Sequence, residues 1–292
     1  MKIRLALLPL LLLVGLFACS RPASVKQAPA KAAADATLSL AQNLEQKQRF
    51  LDSRQTYLSS LRQYRTFGDL RGEAYTLSGL ARLAFLEGNM AEYSTQREAL
   101  DQLVQLADPG SAHVLLLLDL YILQKQGNYT GIRDLAVDSY DFPLGIRMQV
   151  LTHALQAESH LNPGYGGRSA EDLDRLIARY RRSLKRDFSA DPGVLAAALY
   201  AMAYHHHMGE DHATALQYVS EAVDWDERYE NFGALGYDFW LRANILEALG
   251  ESATARSNYI RAGNIFAHFE NTAMLAKTEA AVMRLKGDRY EP

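Results

Sequence analysis

Apolar residues recur along most of the chain at steps of three and four, the spacing of helices with one buried face. The clearest example flanks Gly250, with one stripe before it (Leu241, Ile245, Ala248) and one after it (Ala255, Tyr259, Ala262, Phe266). No segment alternates with a period of two for long enough to indicate a strand. The pattern predicts an all-α fold with helices near residues 38–66, 70–87, 90–106, 111–126, 129–139, 144–160, 169–187, 191–208, 211–225, 230–249, 251–268 and 271–287.

Glycines divide this pattern at nearly equal intervals. Gly88, Gly127, Gly167, Gly209 and Gly250 are 39, 40, 42 and 41 residues apart. Glycine tolerates the positive φ that a helix needs when it ends and the chain turns back. A repeat of this length is typical of a solenoid, in which each helical hairpin covers the apolar edge of the next. The sequence therefore predicts a helical-hairpin solenoid of about 12 helices over residues 37–292, with a non-repetitive helical bundle as the alternative.

The last two units resemble the tetratricopeptide repeat. In that family the turn glycine is followed by an aromatic residue nine positions on, a small residue twelve on and a large apolar residue sixteen on. The matching residues are Tyr259, Ala262 and Phe266 after Gly250, and Tyr218 and Trp225 after Gly209. The resemblance implies a concave face, lined by the first helix of each pair, that grips extended or helical peptides.

The same resemblance indicates which residues face a ligand. Counting each turn glycine as position eight, the family's ligand-facing positions two, five and nine give a mixed polar and aromatic groove. The candidate partner-binding residues are Arg82, Phe85, Asn89, Tyr121, Gln124, Asn128, His206, Glu210, Asn244 and Glu247. Some family members hold the C-terminal carboxylate of heat-shock chaperones with a lysine in the first repeat. Phe85 stands at that lysine's place here, so that clamp is absent.

The N-terminus has the features of a secretory signal. Lys2 and Arg4 precede an apolar run from Leu5 to Phe17, which as a helix spans about 20 Å and is too short for a hydrocarbon core of about 30 Å. The run ends in Leu16-Phe17-Ala18-Cys19, which resembles the lipobox of bacterial lipoproteins. An ordinary cleaved signal is the alternative, but it does not need a cysteine after the cut.

The lipobox resemblance predicts where the protein lies. It implies removal of residues 1–18 and acylation of Cys19, with palmitate among the acyl chains. Ser20 follows instead of aspartate, which in enteric-type bacteria implies an outer membrane lipoprotein facing the periplasm. Residues 19–36, rich in alanine and proline, are predicted to form a flexible tether between this anchor and the repeat domain.

Composition and motifs narrow the chemistry. The net charge is −3 and no basic patch suits nucleic acid. The chain has one cysteine, so acylation at Cys19 leaves no thiol for a disulfide or a metal. His205, His206 and His207 point about 100° apart on a helix and do not converge on one ion, and only pairs such as His206 and Glu210 share a face. Asp119, in an apolar helix, is expected to meet a neighbouring donor. We therefore predict no metal, no cofactor and no enzyme activity.

Together these features predict a non-enzymatic scaffold for a protein or peptide partner in the bacterial cell envelope, in envelope, pilus or secretion assembly. The alternative is a lipoprotein that binds a glycan or small molecule in cell-wall synthesis through stacking aromatic residues: Tyr165, Trp225, Tyr229, Phe232, Tyr237 and Trp240. The sequence leaves the partner and the oligomeric state open.

Overall fold

The computed structural model describes residues 28–106, 111–136, 142–163, 167–186 and 190–287, which form thirteen α-helices and no strand. The helices are α1 (Pro29–Gln46), α2 (Phe50–Phe67), α3 (Leu70–Leu86), α4 (Met90–Leu106), α5 (Ala112–Lys125), α6 (Tyr129–Leu135), α7 (Leu144–Leu161), α8 (Arg168–Leu184), α9 (Pro192–Met208), α10 (His212–Arg228), α11 (Phe232–Ala248), α12 (Ser252–His268) and α13 (Thr272–Gly287). The predicted all-α fold is confirmed. Among these residues, no helix combines the length and hydropathy needed to cross a bilayer.

The helices form two layers. Each helix packs against the next one in the chain, and each odd-numbered helix from α1 to α9 also packs against the following odd-numbered helix. The odd-numbered helices therefore form the inner layer of a stack of hairpins, and the even-numbered helices form the outer layer. The predicted helical-hairpin solenoid is confirmed.

The inner layer closes on itself. Helix α11 contacts α1, and Lys47, just after α1, forms an ion pair with Glu230, just before α11. Gly233 belongs to this seam, since a Cβ there would lie 3.1 Å from the carbonyl oxygen of Gln46. The inner helices α1, α3, α5, α7, α9 and α11 thus form a ring, and the concave face of the solenoid becomes its interior.

The turns follow a step of twenty residues. A residue in the left-handed region occurs at each of Gln48, Gly68 and Gly88, and again at each of Glu210, Glu230, Gly250 and Glu270. Helices α9 to α12 have 17 residues each and are separated by three-residue turns, which explains the step. Two such steps make the forty-residue unit that the glycines indicate.

Two predicted glycine turns are wrong in detail. Gly209 has φ −88°, and the positive φ of that turn belongs to Glu210 at 63°. Gly167 has an extended backbone with φ −71°. Among the described residues, glycine takes the left-handed conformation at four of the turns, and a glutamine or glutamate takes it at the other four.

The start of the solenoid also differs from the prediction. The predicted helix 38–66 is two helices, α1 and α2, because Gln48 has φ 56° and Arg49 N donates to Leu44 O at 2.8 Å, which ends α1. Helix α1 begins at Pro29, a residue suited to the first turn of a helix. Residues 29–36 are therefore helical, and the prediction that the tether extends to 36 was wrong. Cys19 and the predicted signal lie outside the described residues.

Candidate functional site

Side chains from separate helices converge on the interior of the ring. Tyr121 lies on α5, Tyr200 on α9 and Tyr237 on α11. Burial is the main cause that raises the pKa of both Tyr121 and Tyr200, and the nearby phenol of Tyr237 raises both further. Tyr121 and Tyr200 are therefore both half-buried near Tyr237, whose own ring packs against Phe266 and whose hydroxyl accepts a hydrogen bond from Asn271 Nδ2 at 3.1 Å.

Arg82, a candidate binding residue, is held by α1. Its Nε and Nη2 atoms each lie 2.8 Å from a carboxylate oxygen of Glu45, and Nη2 lies 3.3 Å from the hydroxyl of Tyr57. Burial lowers the pKa of Arg82, but the Glu45 carboxylate outweighs burial and the net pKa is raised. Its charge is thus neutralised within the protein.

A matching cluster joins the last three helices and includes two more candidates, Asn244 and Glu247. The hydroxyl of Tyr259 lies 2.6 Å from Asn244 Oδ1 and 2.9 Å from Glu247 Oε2, and Glu247 pairs with Arg284. The spacing from glutamate to tyrosine is 12 residues and from glutamate to arginine 37, the same as in the first cluster. Each cluster therefore ties two inner helices to the outer helix between them.

Three candidates lie in or beside the turns. Asn89 Oδ1 accepts a hydrogen bond from Glu92 N at 3.2 Å, and Asn128 Oδ1 accepts one from Gly131 N at 2.9 Å, so each caps an outer helix. Glu210 occupies the left-handed turn position and is exposed. These three residues therefore form the ends of helices and the turns between them.

The remaining candidates contact neighbouring helices. Phe85 meets Tyr93 edge-to-face with ring centroids 5.7 Å apart. Gln124 Nε2 donates to Gln156 Oε1 on α7. His206 lies between Asp211, 3.2 Å from its Nδ1, and the stacked ring of Tyr218.

The histidine run does not converge, as the helical step predicts. His205 Nδ1 lies 3.1 Å from Ser159 Oγ, His206 faces Asp211, and His207 Nδ1 lies 3.2 Å from His212 Nδ1. Within the described part of the chain, no three His, Cys, Asp or Glu side chains cluster in a way that could hold a metal. Arg97 donates hydrogen bonds to Asp119 from Nε at 2.8 Å and from Nη2 at 2.7 Å, so Arg97 is the neighbouring donor that the sequence predicts for Asp119.

Sequence reasoning did not single out two residues on neighbouring inner helices, Lys125 on α5 and His153 on α7. The ammonium of Lys125 lies 5.4 Å from the ring centroid of Tyr121. Burial lowers the pKa of Lys125, and burial together with this ammonium lowers the pKa of His153 to about 4. The Nδ1 atom of His153 is buried without a hydrogen-bond partner among the described residues. The signal for Lys125 was present, since it is the single basic residue in the last turn of a largely apolar helix.

A second missed group is a row of aromatic rings next to this site. Tyr129 on α6 stacks on His160 on α7 with centroids 3.9 Å apart. Tyr204 on α9 lies on the other side of the row, and its hydroxyl is 3.1 Å from His160 Nδ1. This row joins the outer helix α6 to the inner helices α7 and α9.

The aromatic residues considered for a stacking platform are dispersed. Trp225 stacks on Tyr229 within α10, whereas Trp240 packs against Tyr259 and Tyr237 packs against Phe266. Phe232 stacks loosely on Phe269, with centroids 6.5 Å apart. Tyr237 and Trp240 pack against one buried cluster that includes Phe239 and Phe266, apart from the Trp225–Tyr229 stack. Tyr165 lies outside the described residues.

Two buried carboxyl groups lie between α10 and α11. Asp226 is 2% exposed and Asp238 is 1% exposed. Burial raises the pKa of Asp226 to about 6, while burial and the neighbouring Asp226 raise that of Asp238 well above its usual range. Asn231 Nδ2 donates to Asp226 Oδ1 at 3.0 Å. The pair therefore keeps a proton to a higher pH than isolated carboxyl groups do.

Comparison with known proteins identifies the architecture. No family model matches the chain, and no curated protein matches it. A solved structure, that of a Rap protein complexed with competence and sporulation factor, matches with a TM-score of 0.60 at 11% identity, covering 89% of this chain and 73% of that one. This chain has a TPR-like helical-repeat fold. The likeness extends over most of the described solenoid.

Proposed function

We propose that the protein is a non-enzymatic scaffold that binds a protein or peptide partner inside its ring of inner helices. The observation that carries this proposal is the closure of the inner layer by α11 against α1, which turns a concave surface into an enclosed lining of polar and aromatic side chains. The Rap protein that shares the fold is complexed with competence and sporulation factor, which supports the binding of a partner here.

The lining suits recognition by a preformed surface. Arg82 and Glu247 are held by ion pairs to neighbouring helices, so the walls keep their shape without a partner. On binding, the partner loses conformational entropy, but the side chains of the protein are already ordered and lose little. Tyrosine rings add apolar area and hydroxyl groups at a small cost in side-chain entropy.

The proposed location is the periplasmic face of the outer membrane, and the process served is envelope, pilus or secretion assembly. The sequence Leu16-Phe17-Ala18-Cys19 supports acylation of Cys19. Metabolic labelling with radioactive palmitate tests the anchor. Label is expected in the wild type and not in Cys19→Ser, and equal labelling of both proteins would contradict it.

The binding face is tested by photocrosslinking in living cells. A benzoylphenylalanine replaces Tyr200, in the interior, or Leu51, which is 70% exposed on outer helix α2. We expect one defined adduct from position 200 and none from position 51.

A matched pair of bulky substitutions makes this test specific. Ala197 is exposed on α9, one helical turn from Tyr200, and Ala253 is exposed on outer helix α12. In the protein carrying the crosslinker at position 200, Ala197→Trp should abolish the adduct and Ala253→Trp should leave it unchanged. An adduct that survives Ala197→Trp, or that forms equally from position 51, would show that the interior is not the binding face.

A further inference from the structure

We propose that the C-terminal end of outer helix α8 is a surface that contacts the phosphate headgroups of an anionic lipid membrane. This surface consists of four exposed cations, Arg179, Arg182, Lys185 and Arg186. It belongs to the outer layer of the solenoid, apart from the interior of the ring. The inference therefore goes beyond the proposed function, and each of the two can fail without the other.

The first step is that the arginines of this surface line an open groove. The groove has a volume of about 310 Å³ and lies between the start of α7 and the end of α8, lined by Leu144, Arg179, Arg182, Ser183 and Arg186. The three arginines follow each other at steps of three and four, so they share one face of α8. Among the described residues, no acid lines this groove.

The second step is that the four cations have no carboxylate partner. Within the described part of the chain, none of them forms an ion pair. Other arginines of the same helix do: Arg175 pairs with Glu171 and Asp172, and Arg181 pairs with Glu221. No described residue therefore neutralises the positive charge at the end of α8.

The third step is that the stability of the helix does not explain the cluster. A cation in the last turn of a helix is stabilised by the helix dipole, but this effect fades beyond that turn. Arg179 lies before the last turn of α8, which ends at Leu184. Like charges three or four residues apart repel each other, and Arg182 has such a neighbour on each side, Arg179 and Arg186. An anionic surface would remove this repulsion.

The fourth step is the kind of anion that fits. Arg179 and Arg186 are about 10 Å apart along the helix, so the cations spread over two turns instead of enclosing one phosphate. Guanidinium groups bind phosphate oxygens through paired hydrogen bonds. Long basic side chains with apolar stems, here beside the half-buried Leu144, are favoured at membrane interfaces. The groove therefore suits a surface that carries many phosphate groups.

The acids of α8 argue against a longer polyanion. Glu171, Asp172 and Asp174 lie near the start of the helix, and Asp174 is about 12 Å along the axis from Arg182. A nucleic acid or an acidic polypeptide that follows α8 would meet these acids. A membrane that contacts the end of α8 meets the four cations, and Asp174 lies more than a Debye length, about 10 Å, away.

Sedimentation with lipid vesicles tests the proposal with the full chain. Every protein compared carries Cys19→Ser, so that acylation does not contribute to binding. We expect tighter binding to vesicles of phosphatidylglycerol mixed with phosphatidylcholine than to vesicles of phosphatidylcholine alone. This preference should weaken as salt screens the charges. The apolar run from Leu5 to Phe17 is the same in all proteins, so differences among them report on the groove.

Substitutions assign the preference to the groove. One basic residue near an anionic membrane strengthens binding about fivefold. The variant with Arg179, Arg182 and Arg186 all replaced by glutamine should therefore bind the anionic vesicles about a hundredfold more weakly, and the variant with lysine at these positions should bind like the parent. A control removes the same charge from exposed positions on three other helices: Arg133→Gln, Arg228→Gln and Lys277→Gln. The control should lose at most about fivefold.

The single variant Arg179→Gln guards against an effect on folding, because Arg179 is exposed and lies outside the last turn. It should bind about fivefold more weakly at an unchanged melting temperature. Equal binding to the two kinds of vesicle, full binding of the glutamine variant, or an equal loss in the control would each overturn the lipid-contact surface. If polyglutamate binds through the same arginines while anionic vesicles do not bind, the partner is an acidic polypeptide and the lipid proposal is wrong.

Discussion

Lys47 and Glu230 form an ion pair although 183 residues separate them in the chain. The pair lies where the first inner helix meets the sixth, so it joins the two sides of the seam. An exposed ion pair contributes at most about 1 kcal/mol. Closure therefore depends also on the close packing of Gln46 against Gly233.

Gly233→Val should open the ring. A Cβ at this position would lie 3.1 Å from the carbonyl oxygen of Gln46, and backbone cannot move aside as a side chain can. Small-angle scattering should show a larger radius of gyration. Gly145→Val is the control, because Gly145 has the same second position in α7 and a Cβ there would meet only the Tyr180 ring at 3.4 Å. Equal scattering from the two variants would contradict the seam.

Arg82→Met should destabilise the protein by about 2 kcal/mol, because it leaves the carboxylate of Glu45 partly buried without its cation. Urea unfolding measures this change. The control, Arg175→Met, removes an exposed arginine that pairs with Glu171 and Asp172 on α8. It should cost less than about 1 kcal/mol, because Asp172 keeps its pair with Arg168. A similar loss in both variants would mean that the Glu45 cluster does not stabilise the inner layer.

The Asp226–Asp238 pair should make the protein less stable as pH rises. Both carboxyls have a raised pKa when folded, from 3.8 to about 6 for Asp226 and higher for Asp238, so the folded state binds more protons. This contribution is complete below pH 3.8 and is lost as pH rises through 6 and beyond. Asp238→Asn should raise the free energy of unfolding more at pH 8 than at pH 5. Asp224→Asn, at an exposed position, should have the same small effect at both pH values. If the stability of Asp238→Asn depends on pH as that of the wild type does, the pair does not cause the loss of stability.

His153 should have the opposite dependence. Its folded pKa of about 4 lies below the usual 6.5, so the unfolded chain binds a proton first as pH falls. Stability from this residue is therefore complete above pH 6.5 and is lost as pH falls toward 4. In urea unfolding at pH 7 and pH 5, His153→Gln should show a smaller pH effect than the wild type, whereas exposed His268→Gln should match the wild type. If His268→Gln reduced the pH effect more than His153→Gln did, His153 would not be the buried titrating group.

The helical hairpins could be predicted because each helix carries a local apolar stripe. The first turn was missed because Gln48, not glycine, takes the left-handed conformation. A better signal was available in the residue that follows each turn, which is often a capping Asp or Asn, such as Asp69, Asn89 or Asp211. With that signal the step of twenty residues is visible along the chain.

The candidate site was less predictable than the fold. The family positions assume an open groove and placed Asn89 and Asn128 on its wall, whereas both cap helices. Pairs such as Glu45 with Arg82 depend on the register between neighbouring hairpins, which apolar spacing does not give. Lys47 and Glu230 meet because small rotations accumulate over the whole stack, and no local pattern encodes that sum.

A shut ring also restricts how a partner reaches its lining. A polypeptide that binds this lining, as we propose, would not enter sideways while α1 and α11 are in contact, so it would thread in by a free end or wait for the seam to part. Long chains without an accessible terminus would then associate slowly and, once threaded, escape slowly.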